Sequence, residues 1–160
     1  MKKGVTLIEM LIYMGLLSII LFVLTDIFTS VVSIQLESES ASSVDRDGQY
    51  ITSRYLYDMQ KARDVTLPAN LGDTTDSLAI LVGSDTVTYS NVDGSLVLTN
   101  NESPNALNSS DTFISDMNFT RYGNANRSAV KFSFTVTSKI RPKSGAQSRS
   151  YQITQGLRPN

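Results

Sequence analysis

The chain contains no cysteine, no histidine and no tryptophan in 160 residues. Without cysteine there is no disulfide framework, and without cysteine and histidine the usual zinc ligands and the Ser-His and Cys-His nucleophile systems are missing. An S-x-x-K match at Ser128 and Lys131 opens a segment of period two, in which residues i and i+3 point to opposite faces. We therefore expect a protein that is not an enzyme, with no catalytic residue, no metal site and no cofactor.

Charge is absent from residues 10–25, a run of 16 residues bounded by Glu9 and Asp26. As a helix this run is about 24 Å long, which is shorter than the hydrocarbon core of a bilayer, roughly 30 Å. Adding residues 5–9 gives about 31 Å, so the segment spans a bilayer only when Glu9 lies inside it. A carboxylate at the centre of a membrane helix costs about 2.5–3.5 kcal/mol, and less near one end.

Three ordinary interpretations of this segment remain open. A cleaved secretory signal would explain the basic start, although Glu9 interrupts the apolar region and no A-x-A site follows. A one-pass anchor would place Glu9 at the membrane interface. A core helix of a soluble protein would have to bury a run that is unusually apolar for that purpose.

The stretch KKGVTLIEMLI resembles the N-terminal processing and assembly signature of type IV pilins and pseudopilins. The resemblance implies a leader peptide at residues 1–4, cleavage between Gly4 and Val5 by prepilin peptidase, and N-methylation of Val5. Glu9 is then the fifth residue of the mature chain. The resemblance also implies a transmembrane helix over residues 5–30, which serves first as membrane anchor and then as filament core.

Under this interpretation Glu9 gains a partner. A carboxylate in a medium of low dielectric constant needs a charged or hydrogen-bonding partner. Cleavage after Gly4 creates one, the charged amine of Val5. When helices stack with an axial offset, Glu9 of one subunit can meet the Val5 amine of its neighbour, so we predict that Glu9 acts in assembly.

Three positions depart from the pattern of major pilins. Val5 stands where the family usually has Phe or Met, Ser18 where major pilins often have Gly, and Asp26 where they often have Pro. These departures favour a minor pilin or a pseudopilin.

Beyond the apolar run, the sequence predicts an α+β fold in which the long N-terminal helix packs on a C-terminal antiparallel β-sheet domain. Apolar residues recur at helical spacing from Val44 to Ala62, which predicts an amphipathic continuation of the helix over residues 31–66. The helix is expected to end between Arg63 and Leu67. The pattern then changes to period two, so residues 67–160 are predicted to form the sheet domain.

Short strands are predicted at SLAILV, DTVTYS, SLVLT, TFISDMNFTRY, AVKFSFTVTS and SYQIT. The turn NVDGS carries the Asp93-Gly94 hairpin signal, and NNESPNALNSSD is predicted to be a loop. In AVKFSFTVTS, alternation predicts that Val130, Phe132 and every second residue after them face the core.

Acidic and basic residues are unevenly distributed. All fifteen carboxylates precede Arg121, and the eight basic residues from Arg121 onward have no acidic residue among them. A hairpin tip that is predicted to be exposed and mobile carries a candidate basic contact patch of Lys139, Arg141, Lys143 and Arg149. Three interpretations remain open, namely contact with the acidic helix of the same molecule, contact between subunits, or an anionic ligand such as DNA.

The predicted function is that of a minor pilin or pseudopilin, a structural subunit of a type IV pilus, a type II secretion pseudopilus or a competence pilus. Its expected partners are prepilin peptidase, other pilins or pseudopilins, and the cytoplasmic (inner) membrane, crossed once with the N-terminus in the cytoplasm. From there it would enter a periplasmic or cell-surface filament. The alternatives are a filament-displayed or membrane-anchored binding module for DNA or a surface ligand, and a plain one-pass membrane protein with an external sheet domain.

Overall fold

The computed structural model describes residues 6–124 and 127–157, apart from the side chains of Asn124 and Arg127. Its first element is a single helix, α1 (Leu7–Lys61), of 55 residues, which is about 80 Å long. The first buried residue of α1 is Ser40. More than half of the helix therefore projects from the sheet domain.

The C-terminal part of α1 packs through one face, whose buried residues recur at intervals of three and four. This confirms the predicted apolar stripe: Val44, Ile51, Tyr55, Met59 and, just past the helix, Ala62 are each at most 3% exposed. The stripe is what fastens the helix to the sheets.

The helix ends earlier than the sequence pattern predicts. Ala62 already has extended backbone angles (φ −65°, ψ 134°), and strand β1 (Ala62–Leu67) follows at once. The last five residues of the predicted helical segment 31–66 are therefore strand. The buried positions of β1, Ala62 and Val65, are three residues apart because the pairing of β1 contains register shifts, and this spacing imitates a helix.

The strands of the described residues form two antiparallel sheets, with orders β1-β3-β4-β5-β6 and β2-β7-β8-β9. The α+β class is confirmed, and the sheet domain divides into two sheets where the sequence pattern predicted one. The remaining strands are β2 (Thr74–Thr75), β3 (Leu78–Val82), β4 (Asp85–Val92), β5 (Ser95–Asn100), β6 (Ser103–Ala106), β7 (Thr112–Asn124), β8 (Arg127–Ser138) and β9 (Ser148–Gly156).

The predicted Asp93-Gly94 turn is confirmed, because both residues have positive φ (51° and 79°) and they join β4 to β5 as a two-residue hairpin loop. The loop predicted at NNESPNALNSSD is partly wrong. Asn101 and Glu102 also have positive φ, and they turn the chain into β6, which pairs with β5. The Asn-Glu pair lacks the glycine that usually marks such a turn.

Strand β8 shows the predicted alternation. Val130, Phe132, Phe134 and Val136 are at most 1% exposed, and the residues between them are half-buried. The Phe132 ring stacks on Phe134 and on Phe119 of β7, with centroid distances of 4.5 and 4.4 Å. These rings form the centre of the core.

Helix α1 is hydrogen-bonded to both sheets through buried tyrosines. The Tyr55 hydroxyl donates to the carbonyl oxygen of Val130 on β8 at 2.7 Å. The Tyr89 hydroxyl, on β4, donates to Oδ2 of Asp58 at 2.6 Å. One helix therefore fixes the two sheets relative to each other.

Candidate functional site

The first turn of α1 contains a capping box formed by Thr6 and Glu9. Thr6 is the N-cap, and its Oγ1 accepts a hydrogen bond from the Glu9 backbone N at 3.3 Å. In return, Oε2 of Glu9 accepts from the Thr6 backbone N at 3.4 Å. This reciprocal pair satisfies two amide groups that the end of a helix leaves free, and it holds the Glu9 carboxylate at the N-terminal end of the helix.

Tyr13 lies one turn further along, and its hydroxyl is 3.5 Å from Oε1 of Glu9. The predicted cleavage site, Gly4 and Val5, lies outside the described residues. Thr6 is the residue after Val5 in the sequence, so the Glu9 carboxylate is bonded to the backbone of the residue that directly follows the predicted mature N-terminus.

The projecting part of α1 has an apolar, exposed surface. Leu7, Phe22 and Phe28 are 79%, 75% and 69% exposed, and Asp26 is the only charged residue between Glu9 and Glu37. By length and composition, α1 is the one helix of the described residues that could span a membrane.

Four hydroxyl groups in this segment are hydrogen-bonded within the helix. Ser18, Thr25 and Ser33 each donate to the backbone carbonyl four residues earlier at 2.8 Å, and Thr29 donates to the carbonyl of Asp26 at 2.9 Å. Such internal bonds suit a helix in an apolar medium, where no water is available to satisfy polar groups.

The loop between β8 and β9, residues 139–147, lies against α1. Oγ of Ser40 donates to the Ile140 carbonyl at 3.4 Å and accepts from the Gln147 backbone N at 3.3 Å. Near the tip, Oγ of Ser144 donates to Oε1 of Glu37 at 3.2 Å, and Pro142 is buried. The tip is exposed through its side chains, as predicted, but its backbone is anchored to the helix at both ends of the loop.

The structure places the four residues of the candidate basic contact patch in different surroundings. Arg149, on β9, pairs with Asp45 of α1 in the same molecule. Lys139, Arg141 and Lys143 have exposed side chains. The interpretation that basic residues lie over the acidic helix within one molecule is therefore correct for Arg149.

Asp47 is buried and serves the fold. Its Oδ2 accepts from the Ser109 backbone N at 2.8 Å, from Oγ of Ser109 at 2.7 Å and from Oγ1 of Thr112 at 2.6 Å. No local sequence signal distinguishes Asp47 from the exposed acidic residues near it, because its partners lie more than 60 residues away along the chain.

Asp58 is the second buried carboxylate of α1. It accepts from Tyr89 and, at 2.9 Å, from Nε of Arg54. Burial, together with the hydrogen bond to Asp58, raises the pKa of Tyr89, and burial raises the pKa of Tyr55. This network ties α1 to the first sheet, and sequence reasoning did not find it.

Arg121, counted among the basic residues of the C-terminal region, also serves the fold. Its Nη1 donates to the carbonyl oxygens of Val65, Pro68 and Ala69 at 2.8, 3.1 and 3.0 Å. Its Nη2 donates to Oγ of Ser128 at 3.2 Å, the serine of the S-x-x-K match. Arg121 therefore holds the segment after β1 against β7.

A family comparison identifies residues 1–25 as a prokaryotic N-terminal methylation motif. The motif covers the basic leader, the Gly4-Val5 junction, Glu9 and most of the apolar run, and it is the signature of type IV pilins and pseudopilins. No curated protein and no solved structure matches the chain significantly. The chain is thus pilin-like in its N-terminal segment, which implies processing by prepilin peptidase and assembly with other pilins.

Proposed function

We propose that this protein is a minor pilin or pseudopilin, a non-enzymatic structural subunit of a type IV filament machine. The observation that carries the proposal is Glu9, five residues after Gly4, in the first turn of an uninterrupted apolar helix. The machine is a type IV pilus, a type II secretion pseudopilus or a competence pilus. The chain begins in the cytoplasmic membrane with its N-terminus in the cytoplasm, and later enters a periplasmic or cell-surface filament.

The capping box supports a specific role for Glu9. In a single subunit the carboxylate is held by the first turn of its own helix, and these bonds are long compared with strong charge-assisted ones, about 2.7–2.9 Å. A cleaved neighbour supplies a charged amine, which is a better partner in a medium of low dielectric constant. When the Glu9 carboxylate leaves the cap of its own helix and binds the Val5 amine of a neighbouring subunit, this ion pair stabilises the axial offset at which the two residues meet.

The apolar surface of α1 suits both the membrane and the filament. In the membrane it faces lipid, and in a filament it faces the helices of other subunits, so it needs no water in either place. The departures at Val5, Ser18 and Asp26 support a minor rather than a major subunit. Val5 as the mature N-terminus is also the proposed site of N-methylation.

Two substitutions of Glu9 separate its charge from its capping role. Glu9→Gln keeps a side chain that can complete the capping box but removes the charge, whereas Glu9→Ala removes both. We expect both variants to insert into the membrane and both to be depleted from sheared or purified filaments. Ser18→Ala, in the same apolar helix, is the matched control and should assemble normally. Normal incorporation of Glu9→Gln would show that the cap and not the ion pair matters, and would contradict the pairing role.

The alternative function is display of a binding surface for DNA or a surface ligand, and it is favoured by the exposed side chains of Lys139, Arg141 and Lys143. If these three side chains instead contact neighbouring subunits, replacing all three by Glu should weaken binding of the full mature chain to partner pilins and make the remaining binding less sensitive to salt. Partner pilins and duplex DNA are compared across a salt series. Loss of DNA binding alone would favour the display function over the contact between subunits.

A further inference from the structure

A small apolar cavity lies between α1 and the tip of the β8–β9 loop. It has a volume of about 250 Å³, and Phe28, Val32 and Leu36 form its apolar wall on the helix. Arg141 and Lys143 line it from the loop. The cavity therefore combines an apolar wall with two cationic side chains.

The position of this cavity along the helix is fixed. The loop is hydrogen-bonded to Ser40 and Glu37 of α1, and Pro142 is buried. The residues that the cavity takes from α1 all precede Glu37, so the loop tip overhangs the projecting, apolar side of the helix. Arg141 and Lys143 thus face the part of the molecule that enters the membrane.

Because α1 is one continuous helix, the residue numbers of the cavity wall give its distance from the edge of the hydrocarbon core. If the hydrocarbon span runs over residues 5–25, Phe28 lies about 5 Å and Leu36 about 16 Å beyond its edge. If Glu9 sits at the other interface and the span runs over residues 10–29, Leu36 lies about 10 Å beyond the edge. The headgroup layer is roughly 5–7 Å thick on each side. In the first placement Phe28 therefore lies at the level of the headgroups and Leu36 lies beyond it, whereas in the second placement Val32, about 5 Å past the edge, lies at that level. Part of the wall that α1 contributes to the cavity is thus at headgroup level in both placements.

The charges around the cavity suit an anionic phospholipid. Among the described ion pairs none includes Arg141 or Lys143, and Oε1 of Glu37, the residue after Leu36, accepts a hydrogen bond from the Ser144 hydroxyl at 3.2 Å. Asp26, two residues before Phe28, is the nearest acidic residue on the bilayer side in the sequence. A lipid phosphate would bind the two cations, and part of an acyl chain would cover Phe28 and Val32.

We infer that Arg141 and Lys143, with the apolar wall of α1, form a binding site for an anionic phospholipid of the outer leaflet. The inference rests on the proposed membrane-anchored state of α1. In that state the lipid holds the sheet domain against the membrane surface and limits the tilt of the helix. Entry into a filament withdraws α1 from the bilayer, and the lipid is released.

Because the chain has no cysteine, a single engineered one can report the depth of the loop. The full mature chain carrying Ala146→Cys is labelled with a fluorophore and reconstituted into vesicles of phosphatidylcholine, alone or mixed with phosphatidylglycerol, that contain headgroup-spin-labelled lipid. Ser84→Cys is the matched control. Ser84 lies in the turn after β3, and the last residue of β3, Val82, pairs with Ala62, which follows the end of α1 that is far from the membrane.

We expect strong quenching at position 146 that increases with phosphatidylglycerol, and little quenching at position 84. In Arg141→Gln/Lys143→Gln, the ratio of quenching with and without phosphatidylglycerol should fall to about one. The control Arg63→Gln/Lys131→Gln removes the same charge elsewhere and should leave that ratio unchanged.

Three results would overturn the lipid site. The first is equal quenching at position 146 in the wild type and in Arg141→Gln/Lys143→Gln. The second is protection of the fluorophore at position 146 from quenching that rises with protein concentration and not with phosphatidylglycerol, and the third is an inserted chain with no quenching at position 146. The second result would assign the cavity to a neighbouring subunit. Resistance of the chain to carbonate extraction is measured on the same vesicles. An extractable chain would refute the membrane anchor itself, whereas an inserted chain with an unquenched loop refutes the lipid site alone.

Discussion

The ring of Tyr151 lies directly against the backbone of Gly48. A β-carbon at position 48 would be less than 3.0 Å from three atoms of that side chain. The Tyr151 hydroxyl is 3.3 Å from the carbonyl oxygen of Val44, and the ring stacks on Phe134 with a centroid distance of 5.2 Å. The glycine in the middle of α1 therefore allows β9 to approach the helix closely.

Gly48→Ala tests this contact, because two effects oppose each other. Alanine is better than glycine in a helix by about 1 kcal/mol, but its β-carbon displaces the Tyr151 ring, and overpacking costs about 1–3 kcal/mol. We expect a net loss of stability of about 1 kcal/mol, measured by denaturant unfolding of the mature chain in detergent. In a Tyr151→Ala background the same substitution should stabilise the protein. A stabilising effect in the wild-type background would show that the ring gives way without cost.

Cleavage of the precursor is expected between Gly4 and Val5, because the basic leader and the methylation motif define that junction. Intact mass of the protein purified from a cell with prepilin peptidase should match a chain that begins at Val5, with or without one methyl group. Deletion of the peptidase is the control and should leave Met1 in place. A mature chain that begins near Ser38 would identify a secretory signal instead.

The sheet domain is expected outside the cytoplasm. Lys2 and Lys3 flank the short N-terminal side of the apolar run, and basic residues favour the cytoplasmic side. Protease added to spheroplasts should therefore remove residues beyond α1 while a cytoplasmic marker stays intact. Full protection of the domain, with complete digestion after lysis, would contradict this orientation.

Alkaline pH is expected to destabilise the fold through Tyr55 and Tyr89. Burial raises the pKa of both, and the hydrogen bond to Asp58 adds to the shift at Tyr89. Their contribution is fully present below the unfolded pKa of about 10 and is lost as pH rises above it. Each buried tyrosine should lower the free energy of unfolding by about 1.4 kcal/mol per pH unit in that range.

Unfolding of the mature chain across this pH range checks that slope. Tyr89→Phe should reduce it by one tyrosine, whereas Tyr122→Phe, at a side chain 46% exposed, should leave it unchanged. Identical slopes in all three proteins would mean that burial and the bond to Asp58 do not raise the pKa of Tyr89 in the folded state.

Local patterns in the sequence predicted much of this fold. The helical stripe from Val44 to Ala62, the alternation in β8 and the Asp93-Gly94 turn are each set by residues close together in the chain, and each is confirmed. Strands β1, β2 and β6 are not predicted by the sequence pattern, because the buried residues of β1 are three apart, β2 has only two residues and β6 follows a turn without glycine. The division into two sheets depends on pairing between distant strands, which no local pattern records.

The role of the N-terminal segment can be predicted from local residue order. Leader, junction, Glu9 and apolar run are contiguous, and their meaning depends on order and spacing along one helix. Tertiary structure alone decided the use of the other charges: Asp47 and Asp58 are buried partners of distant hydroxyls, Arg149 pairs within the chain, and Arg141 and Lys143 lie beside α1. An aspartate or arginine side chain has the same chemistry at every position of a sequence, so its role depends on the groups that folding brings within hydrogen-bonding distance.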